Sequence, residues 1–512
     1  MQKVAKIYSA ATIGLDSYLV EVEVDIGAGL PSFTIVGLPD KAIDESKERI
    51  RAAIKNSDVS FPQHRLTINL APADVKKEGP SFDLPMAVGI LLAGEQLERI
   101  AEYEQSLFIG ELSLDGKLRH VNGILPIAIF ASQNGYKRIY LPEVNAYEAS
   151  LVKGIEIIPV DSLNHLIKHL RCETIIKPYR TRQESKITTE TIDTNDFAYI
   201  AGQEQAKRAL EIASAGNHNI LLSGPPGSGK TLLSRSLPSI LPNMDEEEML
   251  EVTKIYSVAG MFRGERESLI RSRPFRAPHH TTSSVALIGG GQWPRPGEIS
   301  LSHRGVLFLD EFPEFPRGVL EALRQPLEDG TVTVSRAQGS LRFPAKFLLV
   351  AAQNPCPCGY LSDPEKRCIC TPLQVLRYQK RVSGPMLDRI DIHIEVPRIK
   401  YDKLATAPAA ESSKSIRLRV NNARVVQQRR FENLPIKTNA EMGVREIKAF
   451  CNLDDEAEKV IKLAVEQLRF SGRTYHRVLK VARTIADLDG SELISVIHMT
   501  EALQYRPKEK TY

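Results

Sequence analysis

Gly224-Pro225-Pro226-Gly227-Ser228-Gly229-Lys230-Thr231 matches G-x-x-x-x-G-K-[ST], the pattern of a phosphate-binding loop. The apolar run 219–223 before it reads as a strand, and 232–237 after it opens a helix. In that setting the glycines let backbone N–H groups close around phosphates at a helix N-terminus, whose dipole favours anions. Lys230 would reach the β- and γ-phosphates of a nucleotide, and the Thr231 hydroxyl would bind Mg²⁺. A parallel α/β sheet is the architecture that presents such a loop.

Working outward, Gly305-Val306-Leu307-Phe308-Leu309-Asp310-Glu311 is an apolar run ending in two carboxylates. A buried parallel strand has this form, with its polar residues at the C-terminal edge where ligands bind. Asp310 would hold Mg²⁺ and Glu311 would polarise the attacking water, so the pair implies ATP hydrolysis. A further apolar run at 347–352 delivers Asn354, a polar group placed to sense the γ-phosphate. Ser383-Gly384-Pro385-Met386-Leu387-Asp388-Arg389-Ile390-Asp391 sets an arginine on a tight turn before a strand. Arg389 would stabilise transition-state charge on a neighbouring subunit's phosphate. Its plain alternative is a local salt bridge to Asp388 or Asp391.

The chain has 512 residues, which suggests roughly three domains, and a formal net charge of +4. That balance excludes a wholly basic histone-like protein and an acidic disordered one, and leaves open a charged face for nucleic acid. The N-terminal stretch lacks a continuous apolar region and meets Asp16 and Glu21 early, so it does not read as a signal peptide. No apolar run approaches the ~18 residues of a membrane span. Four of the six cysteines crowd between Cys356 and Cys370, unlike a secreted disulfide scaffold. A cytoplasmic protein without membrane contact is expected.

The first 170 residues mix short strands (18–25, 32–36, 65–69) with helical stretches (40–56, 85–93). Residues 171–196 are polar and read as a linker. Residues 197–398 repeat strand–loop–helix, and 399–512 turn helical.

This order of motifs resembles an AAA+ ATPase. The finer match is to the YifB/ComM family of magnesium-chelatase-like AAA+ ATPases. It is carried by Phe275-Arg276-Ala277-Pro278-His279-His280-Thr281-Thr282, by Gly289-Gly290-Gly291 and by the run from Pro294 to Glu311. It continues through Asn354-Pro355-Cys356-Pro357-Cys358-Gly359, Leu387-Asp388-Arg389-Ile390-Asp391 and the run from Tyr475 to Thr484. The resemblance spans essentially the whole chain. It implies a Lon-protease-like (ribosomal S5 domain 2-like) α+β N-terminal domain, an AAA+ P-loop α/β core and a C-terminal helical lid. It implies ATP and Mg²⁺ as cofactors, and a ring, expected to be a hexamer, with active sites at subunit interfaces. It further implies a DNA helicase that promotes branch migration of single-stranded DNA into duplex during transformation and recombination. Lys230, Thr231, Asp310, Glu311, Asn354 and Arg389 fall on the family's ATPase positions. A lid arginine would complete the site, Arg473 being the first choice and Arg477 the second. The alternative is a chelatase-type remodelling subunit that drives metal insertion or protein remodelling.

Two segments are candidates for gripping single-stranded or branched DNA. One is the insertion 282–302, with Trp293 and Arg295; the other is an expected hairpin over 331–343, with Arg336 and Gln338 near its tip. Arginine neutralises phosphate and a tryptophan ring stacks on a base, although Trp293 packing beneath the insertion is the plainer alternative. Nine Lys/Arg between Arg398 and Arg430 form a basic run that is either a DNA contact or a solvated helix face.

Cys356-x-Cys358 and Cys368-x-Cys370 offer four thiolates for a tetrahedral Zn²⁺, although C-x-C departs from the usual C-x-x-C knuckle. Such a metal is expected to act indirectly, so that chelation affects assembly before it affects the P-loop.

Lys77-Glu78-Gly79-Pro80-Ser81-Phe82-Asp83-Leu84-Pro85 and Gly110-Glu111-Leu112-Ser113-Leu114-Asp115-Gly116 resemble the catalytic domain of Lon-type proteases. Ser81 occupies the serine position there. The expected lysine base is missing, since no lysine occurs between Lys117 and Lys137. A serine hydroxyl without a base is a weak nucleophile, so peptidase activity is not expected.

Overall fold

The computed structural model describes residues 4–77, 79–180, 195–262, 269–291, 295–336, 339–361, 363, 365–399 and 410–507. Its internal contacts divide the chain into two units, Met1–Thr188 with Met249–Ile270, and Thr189–Glu248 with Arg271–Tyr512.

The first unit is built on strands β1 (Ala5–Ile13), β2 (Asp16–Gly27), β3 (Ser32–Val36), β4 (Arg65–Ala71), β5 (Ser106–Phe108), β8 (Arg138–Pro142) and β9 (Glu156–Val160). A short hairpin, β6 (Glu111–Leu112) and β7 (Leu118–Arg119), stands apart. The seven-stranded sheet has the order β3-β4-β2-β1-β5-β8-β9. β1–β2 and β2–β4 pair antiparallel, whereas β5, β8 and β9 continue parallel from β1. Alternation in β2 buries Val20, Val22 and Val24, and each such side chain contributes about 1.5–3 kcal/mol by leaving water. Helices Lys41–Lys55 and Asp83–Ala93 pack into one core with those valines. Helix Ile124–Gln133 belongs to a second core with Leu107 and Ile139.

The second unit holds a five-stranded parallel sheet: β10 (Ile220–Ser223), β11 (Phe275–Arg276), β14 (Val306–Leu309), β17 (Leu348–Gln353) and β18 (Ile392–Glu395). Its order is β11-β14-β17-β10-β18, with the strand that feeds the P-loop inside the sheet. All four residues of β14 are buried, as the apolar run before Asp310 requires. β12 (Gly289–Gly290) and β13 (Arg295–Pro296) pair within the insertion, and β15 (Thr331–Arg336) with β16 (Gly339–Pro344) forms the expected hairpin.

Asn219 latches the lower end of this sheet. Its Oδ1 accepts from Leu349 N at 2.9 Å, its Nδ2 donates to Arg389 O at 3.0 Å, and its N–H donates to Asp391 Oδ2 at 3.1 Å. The C-terminal helices Ser413–Arg430, Val444–Phe450, Asp455–Leu468, Gly472–Leu488 and Val496–Gln504 do not form a separate core. Val420, Ala482 and Met499 share one buried cluster with Leu222, Val306 and Ile392. No helix among the described residues is long and apolar enough to cross a membrane.

Candidate nucleotide site and metal centre

The P-loop leaves Ser223 and returns as the helix Lys230–Ser236. Gly229 caps that helix at φ +91°, a left-handed conformation that only glycine adopts without strain. Lys230 is 8% exposed, and its ammonium donates to Gly224 O at 2.7 Å, Pro225 O at 2.8 Å and Asn354 Oδ1 at 3.3 Å. Burial pushes it down to about 8, against the opposing pull of the Asp310 carboxylate. The structure therefore brings the P-loop lysine and Asn354 together at the C-terminal edge of adjacent strands.

Thr231 Oγ1 donates to Asp310 Oδ2 at 2.8 Å. A hydroxyl and a carboxylate side by side are the hard oxygen ligands that Mg²⁺ takes, so this pair fits the ion. Glu311 follows at φ +51° and ψ +44°, left-handed for a non-glycine residue and costing on the order of 1 kcal/mol. Its N–H donates to Asp310 Oδ1 at 2.9 Å. The Glu311 carboxylate oxygen Oε2 lies 3.0 Å from Nδ1 of His280, whose ring packs tilted by 35° against that of His279 with centroids 4.0 Å apart. Sequence alone gives His280 no role, because the pairing joins the ends of two distant loops.

The arginines form a second group. β18 runs parallel to β10 with Ile220 beside Ile392 and Ser223 beside Glu395. The P-loop follows the Ser223 end, whereas Arg389 precedes the Ile392 end, at least a strand's length away, about 10 Å. Arg389 pairs with neither Asp388 nor Asp391 but with Glu328, at 2.6 Å. The same Glu328 oxygen contacts Arg473, and Arg389 chiefly holds that carboxylate below its ordinary range. Ser471 N-caps the helix Gly472–Leu488, so Arg473 and Arg477 lie one turn apart on one face. Arg473 remains half-exposed, while Arg477 is buried and donates to Ile390 O at 2.6 Å. A cavity of about 810 Å³ lies beside this group, lined by Glu328, Arg389, Arg473 and Arg477 among others.

Cys356, Cys358, Cys368 and Cys370 bring their sulfurs within 4.8 Å of one another, with Sγ–Sγ distances of 3.4, 3.6 and 3.7 Å among the first three. Four thiolates about 2.3 Å from one Zn²⁺ would stand about 3.8 Å apart, so the donor set fits a tetrahedral ion. Gly359, next to Cys358, lies against the P-loop, since a Cβ there would fall 2.6 Å from Cδ of Pro226. That contact ties the cysteine loop to the nucleotide site more directly than its place in the sequence suggests.

Among the DNA candidates, Arg295 is exposed on β13 and Arg336 ends β15. Trp293 and Gln338 lie outside the described residues. Much of the basic run is committed internally. Arg417 donates to Leu241 O, Arg419 pairs with Glu211 and Glu411, Arg424 donates to Ser214 O, and Arg430 pairs with Asp487.

In the first unit, Gly110 N–H donates to Ser81 O and Leu84 N–H to Gly110 O, so the two Lon-like motifs meet through their backbones. Buried Asp83 completes the junction, accepting from Arg49 Nε at 2.8 Å and from Leu112 N–H at 3.2 Å. No hydrogen bond joins the Ser81 hydroxyl to a lysine among the described residues. The fully buried Lys77 ammonium has no hydrogen-bond partner there, and burial lowers it.

Family models match three consecutive segments: magnesium chelatase subunit ChlI over residues 196–404, subunit ChlI of Mg-chelatase over 22–145, and the ChlI C-terminal region over 410–506. Competence protein ComM of Haemophilus influenzae is 44% identical across 98% of this chain and 97% of its own. The uncharacterised protein YifB of Escherichia coli is 42% identical across 98% of this chain and 96% of its own. The magnesium-chelatase 67 kDa subunit of Heliobacterium mobile is 26% identical across 40% of this chain and 36% of its own.

Proposed function

The chain belongs to the magnesium-chelatase-like family that includes ComM and YifB, and from that premise we propose that it is an ATP-driven, ring-forming DNA motor. The observation that carries the reading is the full-length identity to a competence protein, joined to an intact Lys230–Thr231–Asp310–Asn354 constellation. Competence implies imported DNA strands, and an ATPase of that system would act on single-stranded or branched DNA.

Lys230 binds the β- and γ-phosphates, exchanging its carbonyl partners for phosphate oxygens. Thr231 and Asp310 hold Mg²⁺, which supplies charge neutralisation at the phosphates. Glu311 orients and polarises the attacking water, and Asn354 positions it against the γ-phosphate. Arg389, remote from its own P-loop, serves the nucleotide of the next subunit, with Arg473 beside it. This assignment favours Arg473 over Arg477, which is spent on the Ile390 carbonyl. It makes a closed ring, a hexamer on our reading, the active species. The four thiols hold Zn²⁺, and the first unit is a scaffold or partner-binding module and not a peptidase. The cytoplasm is the compartment where this chemistry and reduced thiols coincide.

Branch migration of a labelled three-strand DNA substrate with and without ATP tests the reading, together with the ATPase rate with and without single-stranded DNA. ATP-dependent strand exchange and DNA-stimulated turnover are expected. A rate indifferent to DNA would sink the motor and leave the chelatase-type remodelling role.

A further inference from the structure

We infer that the four-cysteine centre sets the shape of the nucleotide-binding loop, so that its Zn²⁺ occupancy governs ATP affinity. The inference rests on the zinc assignment above and not on the DNA reading.

Three observations carry it. Gly359 stands at φ +84° with its backbone flush against Pro226, so that even one added carbon would meet Cδ at 2.6 Å and Cγ at 2.7 Å. The same added carbon would lie 3.8 Å from Cγ of Asn354, whose Oδ1 accepts from the Lys230 ammonium. The segment tied down by Cys356 and Cys358 therefore packs against the P-loop and lies close to the residue that meets its lysine.

The third observation is what else shapes this segment. From Cys356 to Cys370 the described residues bury only Cys356 and Gly359, and Ile369 is 86% exposed. Among the described residues no apolar core holds the loop; beyond the Arg398 ion pairs to Asp363 and Glu365 and the turn bonds to Asp363 Oδ1, its conformation rests chiefly on whatever binds the four sulfurs. Three of the thiols lie 3.4–3.7 Å apart and make weak hydrogen bonds at best, whereas four Zn–S bonds would fix all four positions at once. Losing the ion frees the loop, and Gly359 then no longer buttresses Pro226. The backbone amides that must converge on phosphate lose their pre-organisation, and ordering them costs binding free energy.

The test uses the purified full-length chain. Bound zinc is measured by elemental analysis, and affinity by fluorescence titration with an ATP analogue. Wild-type protein should carry about one zinc per chain. Cys368→Ser should lose the metal and bind nucleotide about tenfold more weakly, because the loop must then be ordered on binding. Cys172→Ser, at an exposed and isolated thiol, should match wild type in both measurements. Gly359→Ala should keep its zinc yet also weaken nucleotide binding, because it alters only the buttress. Zinc-free wild-type protein from zinc-replete cells would overturn the metal assignment. A folded, zinc-free Cys368→Ser with unchanged affinity would overturn the coupling. If Cys368→Ser does not fold, a zinc-loaded Gly359→Ala with unchanged affinity overturns it instead. Wild-type protein that binds no nucleotide would reject the P-loop assignment and this coupling together.

Discussion

Arg389 Nη2 lies 2.6 Å from the Glu328 carboxylate, at the end of the sheet opposite the P-loop. An arginine so placed cannot reach its own nucleotide without dismantling β18. A mixing experiment follows from this. Lys230→Ala and Arg389→Ala should each hydrolyse ATP at a small fraction of the wild-type rate, since an arginine finger is worth about 10³–10⁵. In equimolar mixed rings, about a quarter of interfaces would pair an intact P-loop with an intact arginine, and activity should return accordingly. No recovery on mixing would place Arg389 in its own subunit's site.

Glu311 and His280 should separate binding from chemistry. Glu311→Gln removes the carboxylate proposed to polarise water but keeps the fold, so ATP should bind while turnover falls by about 10²–10⁴. His280→Ala leaves the carboxylate in place but frees its side chain. We expect kcat to fall about tenfold with nucleotide affinity unchanged, because orientation is lost and charge is not. Equal losses in kcat and affinity would assign His280 to the binding site itself.

The depressed Lys230 predicts a pH dependence of nucleotide binding. With burial bringing its ammonium down to about 8 in the free protein, the cation proposed to grip phosphate is lost as pH rises above 8. Affinity for Mg·ATP should fall by up to about tenfold per unit above that point, and Lys230→Arg should abolish the dependence. The sign for folding is the reverse. A lysine depressed in the fold binds fewer protons than in the unfolded chain between about 8 and its ordinary 10.5, so its burial opposes folding below pH 8 and less so above. Calorimetric titration across pH 7–9.5 reads the binding effect directly.

Buried charge in the helical region gives a stability prediction. Asp487 accepts from both Arg430 and Arg483 and also from Asn439 Nδ2 at 2.8 Å. Asp487→Ala leaves the buried Arg483 and the largely buried Arg430 without their anionic partner, which costs about 3 kcal/mol. Thermal denaturation should show a midpoint lower by roughly 10 °C, whereas Lys414→Ala on the exposed face should leave it unchanged.

The ATPase core was legible in the sequence because its chemistry is local. A Gly-rich loop between strand and helix, and two carboxylates ending an apolar strand, are contiguous segments, and β10, β14 and β17 fall where their apolar runs lie. The spacing of Cys356, Cys358, Cys368 and Cys370 likewise pointed to a metal before their sulfurs were seen to converge. Tertiary structure alone decided how remote residues meet. It paired His280 with Glu311 and gave Glu328 to Arg389 and Arg473. It turned much of the basic run inward as salt bridges and carbonyl contacts, and it set Gly359 on Pro226. These contacts follow from strand order and parallel register, which bring the ends of different loops to one edge of a sheet. Local pattern carries no record of that order, because each strand's apolar run is equally satisfied by any buried neighbour.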